Sequence, residues 1–250
     1  MTNTALQLYT LRKELEEDFE GTLHQVSRMG YKGIELAGNT GGMSAEALHV
    51  FLKQIHLETA SMHVSLEELE TNSSYHIDFA HALGCRHIVC PYLEPEKRRN
   101  IQQYKELAAS LNRIGETCRK EGITFSYHNH DFELVTLEGE LPLSVIMENT
   151  DPKLVMIELD TYWVQKAGED PLVWMDLCKD RMQLVHLKDM TRDEEGFFAE
   201  LGTGRMDIEA IVKQARHQQV AWQIVEQDES RREPIESVRE SLRYLQQLSI

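Results

Sequence analysis

The 250-residue chain has no long apolar run, no excess of basic residues and no paired-cysteine motif. Each absence removes a class of function. No stretch approaches the roughly 18–20 apolar residues of a membrane span. Met1–Tyr9 shows no basic segment leading into an apolar one, so a cytoplasmic protein is expected. Lys and Arg total 26 against 42 Asp and Glu, a formal charge of −16. Such a surface repels phosphate backbones and anionic lipid, so neither nucleic acid nor membrane is an expected partner. The four cysteines, Cys85, Cys90, Cys118 and Cys178, form no CxxC pair and read as buried, reduced thiols. No segment rich in Pro, Gly or Ser divides the chain, and no close repeat or low-complexity stretch appears. One domain over residues 1–250 is expected.

What is present is a rhythm. Short β-prone runs alternate with amphipathic stretches, the pattern of βαβ units around a parallel sheet. The strands are predicted at Thr4–Tyr9, Gly33–Ala37, Thr59–Val64, His87–Cys90, Thr124–His128, Val155–Asp160, Gln183–Leu187 and Trp222–Glu226. The helices are predicted at Phe19–Met29, Ser44–Ile55, Tyr75–Leu83, Ile101–Lys120, Pro142–Asn149, Pro171–Cys178, Ile208–Gln218 and Pro234–Leu248. Ser44 and Asp170-Pro171 look like helix starts, and Gly30, Gly84 and Gly122 follow helices where a left-handed cap fits. Eight strand–helix pairs, about 31 residues each, match a single-domain (β/α)8 TIM barrel. An open doubly wound sheet is the alternative, but the first strand is not followed by GxGxxG.

In such a barrel, catalytic groups gather at the C-terminal ends of the strands. Here those ends carry Gln7 and Tyr9, Glu35, His63, Tyr92, His128 and His130, Asp160, His186 and Lys188, and Glu226. They follow very apolar runs, such as Val155-Met156-Ile157 before Glu158-Leu159-Asp160. A carboxylate at the end of a buried strand is costly unless a charge or a metal compensates it. Convergence of several at one mouth points to a divalent ion. Glu158, two residues before Asp160 and deeper on the same face, reads as an ion-pair or hydrogen-bond partner. The segment Met190–Asp207, with Gly196, Gly202 and Gly204, has the length and glycine content of a lid, though its glycines also suit a turn into the following helix.

The runs Tyr127-His128-Asn129-His130-Asp131-Phe132-Glu133, Glu158-Leu159-Asp160-Thr161-Tyr162-Trp163-Val164, His186-Leu187-Lys188-Asp189 and Val225-Glu226-Gln227-Asp228, taken in chain order, resemble the xylose isomerase-like barrels grouped as sugar phosphate isomerases/epimerases. Gln7-Leu8-Tyr9 and Gly33-Ile34-Glu35-Leu36 extend the resemblance over essentially the whole chain. The resemblance implies a divalent-metal site, Mn²⁺ first and Mg²⁺, Co²⁺ or Zn²⁺ as alternatives. Its ligands in the family run Glu, Asp, His, Glu. The last three fall on Asp160, His186 and Glu226, and the first falls on His128, a departure from the two-glutamate pattern. A His-containing segment of this kind also resembles inosose dehydratases and barrels acting on 3-keto-glycosides.

The expected substrate is a small carbohydrate ketone, with enolisation assisted by the metal. Glu226 is the candidate base or proton shuttle. His130 and Lys188 are candidate proton donors. Gln7, Glu35 and His63 are expected to orient substrate hydroxyls, with Trp163 as an apolar wall. The expected outcome of the enolate is isomerisation or epimerisation of a keto-sugar, with β-elimination by a lyase or dehydratase as the alternative. A metal-dependent endonuclease would share the barrel, but the net acidity argues against it. A homo-oligomer is compatible with the sequence.

Overall fold

The computed structural model describes residues 3–248. Eight parallel strands close on themselves: β1 (Asn3–Gln7), β2 (Gly33–Leu36), β3 (Glu58–His63), β4 (His87–Cys90), β5 (Thr124–His128), β6 (Met156–Asp160), β7 (Met182–Leu187) and β10 (Trp222–Val225). Two further short strands, β8 (Asp189–Met190) and β9 (Phe198–Ala199), pair as an antiparallel ribbon beyond β7. Closure is made by β1, which pairs with β2 on one side and β10 on the other. Full closure leaves no barrel edge with unpaired backbone.

The expected elements form because their local chemistry agrees with the topology. Ser44 accepts a hydrogen bond from Ala47 N at 3.3 Å to start the helix Ala45–Gln54. Asp170 caps the helix Pro171–Cys178, with proline at its first position. Gly30 closes the helix Phe19–Met29 at φ 108°, a conformation an L side chain resists.

The differences are local and have physical causes. β1, expected to Tyr9, stops at Gln7, because the Gln7 side chain accepts from Tyr9 N at 3.0 Å and turns the chain into a 3₁₀ turn, Leu8–Leu11. Short helices at Arg12–Glu17, Leu66–Thr71 and Thr161–Lys166 lie outside the predicted elements. At six residues each they are too short to display a full amphipathic period.

Two apolar clusters hold the structure. The larger lies between the strands and the helical ring. The smaller comprises Ala5, Ala60, Val89, Leu184, Trp222 and Ile224. Ala5, Leu184 and Ile224 lie two residues before Gln7, His186 and Glu226, so they share a strand face with them. The small cluster is therefore the apolar floor beneath the polar mouth. All four cysteines are free and buried, as expected. Among the described residues no helix is long and apolar enough to cross a membrane.

Candidate active site

Strand alternation sends the polar side chains of the strand ends into the barrel. Three imidazoles surround one carboxylate oxygen. Glu158 Oε1 lies 2.9 Å from His63 Nε2, 3.0 Å from His128 Nδ1 and 3.2 Å from His186 Nε2. His186 is held on both ring nitrogens, Nε2 being 2.7 Å from Glu35 Oε1 and Nδ1 2.8 Å from Glu226 Oε2. Lys188 reaches the same mouth, with Nζ 2.9 Å from Asp160 Oδ2, 2.6 Å from Glu226 Oε2 and 2.7 Å from Asp228 Oδ1.

The charges follow from this arrangement. Burial alone would lower the Lys188 ammonium, but Asp160, Asp228 and Glu226 hold it well above the ordinary lysine range. Burial would raise Glu226, yet Lys188 and His186 pull it below the usual carboxylate range. For His63, burial opposes protonation, and Glu35 and Glu158 overcome it, raising the imidazole to about 10. His128 moves the other way: burial, then the neighbouring His186 and His130, hold it well below the ordinary histidine value. Burial and Lys188 lower His130 to about 3. One mouth thus contains anionic, cationic and neutral groups a few ångströms apart.

Of the residues anticipated from the sequence, Asp160, His186, Glu226 and Lys188 come together directly. Asp160, His186 and Glu226 present donor atoms within 4.8 Å of one another, a separation one cation can bridge. His128 stands beside that group. Its Nε2 stands 3.7 Å from Asp160 Oδ2, while its Nδ1 turns to Glu158. His128 groups with His63, Glu158 and His186, again within 4.8 Å. The donors thus form two overlapping groups that share His186, and Glu158 is a candidate ligand as well as an ion-pair partner.

The donor chemistry fits a divalent ion. Asp160 Oδ2 meets the Lys188 ammonium at 2.9 Å, while Glu158 Oε2 belongs to the buried oxygens with no hydrogen-bond partner. Such atoms are costly unless something positive completes them, and mixed imidazole and carboxylate donors suit a borderline or hard divalent cation.

Gln7 and Glu35, expected to orient substrate, are fully buried and engaged with one another. Gln7 Nε2 donates to Glu35 Oε1 at 2.6 Å, and Ser61 Oγ donates to the other Glu35 oxygen. They stand behind His186 and His63 and fix those rings. His63 retains some exposure at the mouth (12%). Trp163 forms part of the rim, its ring 5.6 Å from Lys188 Nζ and 5.4 Å from the His130 ring. His130 stacks on Phe132 and meets Tyr92 edge-on. Tyr9 is 46% exposed and lies beneath the Arg12 guanidinium.

Sequence reasoning gave no separate role to Asp228, Asn129, Glu133 or Ser61. Asp228 had a legible signal, since it lies two residues past Glu226. Asn129 fastens two strand ends by accepting from Asp160 N at 2.9 Å. Glu133 accepts from Tyr127 Oη at 2.6 Å and from His130 N at 2.8 Å, which shapes the loop carrying His130.

The segment Met190–Asp207 is pinned by the buried carboxylate that precedes it. Asp189 accepts backbone hydrogen bonds from Met190, Gly202, Gly204 and Met206 at 2.7–3.1 Å. A Cβ on Gly204 would fall 2.2 Å from both Asp189 Oδ1 and Met190 O. The glycine is there to let the backbone approach a carboxylate.

The xylose isomerase-like TIM barrel family model matches residues 23–248. An inosose dehydratase from Lacticaseibacillus casei is 29% identical over 92% of this chain and 89% of its own length. Among solved structures, a sugar phosphate isomerase/epimerase from Parabacteroides distasonis superposes with a TM-score of 0.86 at 25% identity, covering 98% of this chain and 93% of that one. The IOLI protein with a bound zinc atom shares the fold at a TM-score of 0.76 and 14% identity, covering 99% of this chain and 98% of that one. The closed barrel, the polar strand ends and these likenesses agree: the chain belongs to the xylose isomerase-like TIM barrel family.

Proposed function

We propose that the protein is a divalent-metal-dependent dehydratase that removes water from a small polyhydroxylated ketone of the inosose or keto-sugar class. The observation that carries this reading is the 2.6 Å contact between Lys188 Nζ and Glu226 Oε2 at the barrel mouth. Elimination next to a ketone needs a base for the α-proton and an acid for the departing hydroxyl. Glu226 is the base in this reading, and Lys188 protonates the leaving oxygen. The α C–H bond breaks as Glu226 takes the proton. The β C–O bond breaks as Lys188 gives one up, and water leaves with no redox change.

The residues that hold the ion in this reading are Asp160, His186 and Glu226, with His128 alongside, and Mn²⁺ is the first choice for so carboxylate-rich a set. A divalent cation so bound supplies positive charge against the negative charge that develops as the α-proton is removed. Glu35 and Glu158 fix the His186 ring. His130 and Trp163 form a wall over Lys188 that limits water. His128 favours elimination over epimerisation, because a two-base mechanism across opposite substrate faces uses a second carboxylate where this chain has an imidazole. The full-length similarity to inosose dehydratases supports the same choice. Isomerisation or epimerisation is the second reading, favoured by the Parabacteroides distasonis structural likeness.

The test is incubation of Mn²⁺-loaded protein in D₂O with inososes, ketohexoses and 3-keto-glycosides, followed by mass spectrometry. Loss of water from a ketone substrate is expected. Deuterium wash-in with an isomeric product and no loss of water would replace this reading with the second.

A further inference from the structure

A cleft of about 670 Å³ opens beside the barrel mouth, between the helices Ala45–Gln54 and Ser73–Leu83. Leu36 and Met62, from the ends of β2 and β3, line it together with Met43, Phe79 and Ala82. Tyr75 stands at its edge, 61% exposed, with its ring 6.2 Å from that of Phe79. His63 lines the cleft as well, and the same His63 lies 2.9 Å from Glu158 inside the mouth. The cleft and the reaction centre therefore meet at one side chain.

The lining has a chemical preference. A bare polyol ring has hydroxyls on every carbon and gains little from Leu36, Met43, Met62 and Phe79. An apolar or aromatic group gains from burying its surface there. The cleft lies within the roughly 300–1,000 Å³ of small-molecule sites, and a single aromatic ring fills only part of it. Three of the groups that line it are acidic, namely Glu46, Glu68 and Asp78, and the His63 imidazolium is matched by Glu35 and Glu158. The other imidazole of the lining, His76, is taken by Glu68 at 3.0 Å. A phosphate or carboxylate would meet repulsion at this edge, and a neutral group would not.

We infer that the cleft is a subsite for a neutral apolar or aromatic substituent of the substrate. The ring that reacts then carries such a group, as in an aryl glycoside, with the sugar in the mouth and the substituent beyond His63. This inference rests on the proposed function for the position of the reacting ring. The cleft itself is tested by binding, which needs no turnover.

The probes are phenyl β-glucoside and methyl β-glucoside, neither of which carries a ketone, titrated by calorimetry against the metal-loaded protein. The phenyl compound is expected to bind at least about tenfold more tightly, a preference of about 1.4 kcal/mol. Ala82→Trp fills the cleft and should abolish that preference. Met43→Trp, in the loop ahead of its helix, is the second filling variant should the first not fold. Neither residue touches the mouth, so deuterium exchange into an unsubstituted inosose should persist in both. Equal binding of the two glucosides overturns the subsite, as does a phenyl preference that survives in a folded filled variant. A filled variant that changes the oligomeric state while the phenyl preference persists overturns it too, in favour of a contact between copies. Absence of exchange with every ketone, with the phenyl preference intact, counts against the dehydratase reading and leaves the subsite standing.

Discussion

Lys188 Nζ stands 2.6 Å from Glu226 Oε2, and the two side chains are 2% and 7% exposed. The ammonium also faces Asp160 and Asp228, so it balances three carboxylates at the end of the barrel. It therefore has two effects: it can protonate a leaving group, and it competes with a metal for the same oxygens. Lys188→Met is expected to lower turnover by about 10²–10⁴, the range for loss of a general acid, while tightening Mn²⁺ binding. Without metal the variant should lose about 3–5 kcal/mol of stability, because buried carboxylates lose their partner, and saturating metal should restore much of it. Activity within threefold of the parent, with unchanged metal affinity, would remove Lys188 from the mechanism.

The pinned segment after β7 gives a second expectation. Gly204 packs its backbone against the Asp189 carboxylate so closely that no Cβ fits. Gly204→Ala is expected to cost about 2–4 kcal/mol, the range for overpacking combined with broken buried hydrogen bonds. Urea unfolding measures it, with the far-UV spectrum as a check that the barrel persists. A cost below about 0.5 kcal/mol, the size of an ordinary surface change, would mean that Asp189 does not organise the segment.

The barrel was legible in the sequence because its signals are local and redundant. The strands His87–Cys90 and Thr124–His128 and the helices Ile101–Lys120 and Pro171–Cys178 match the predicted bounds. Apolar periodicity, a cap and a terminating residue agree at these places. The strand-end residues were legible for a related reason, since an ionisable group after a buried run is hard to explain otherwise. Partner choice was not legible. Glu35 and Gln7 were expected to face substrate, and only the closed topology shows that His186, 151 positions from Glu35, takes that carboxylate. The pairing of His128 Nδ1 with Glu158 depends on which way one ring turns, and no sequence spacing encodes that. The cleft beside His63 is likewise a gap between two helices, set by packing and not by motif.

Glu133 supplies a pH dependence away from the metal-binding groups. Burial pushes its carboxyl up from an ordinary value of 4.5 to about 7, against the opposing hydrogen bonds from Tyr127 and His130. Between those two values the folded protein holds the proton more tightly than the unfolded chain does. Stability is therefore lost as pH rises through this window, by about 3 kcal/mol for a shift of this size, and the contribution is flat above it. Glu133→Gln cannot ionise and retains one acceptor. Relative to the parent, the variant should gain about 3 kcal/mol on going from about pH 4 to about pH 8. Chemical denaturation at the two pH values decides this, and a constant difference between variant and parent would contradict the shift.

His128→Glu tests whether histidine is functionally required where the family pattern has glutamate. His128 Nδ1 lies 3.0 Å from Glu158 Oε1, and the two side chains are 3% and 0% exposed. A glutamate there places a second carboxylate against Glu158 in a dry site, and like charges so close resist simultaneous ionisation. One of them must take up a proton or the strand ends must move apart. The added negative charge also makes a bound cation a weaker acid toward substrate. Both effects act in the same direction, and elimination is expected to fall by about 10²-fold or more, equivalent to about 2.7 kcal/mol in the barrier. Metal content is measured in parallel, and it should be retained because Asp160, His186 and Glu226 are unchanged. His128→Gln separates the two effects, since it removes the imidazole without adding charge and should fall less far. An unimpaired His128→Glu variant, or one that gains epimerisation as elimination fades, would show that position 128 tolerates the two-carboxylate pattern and would return the site to the isomerase reading.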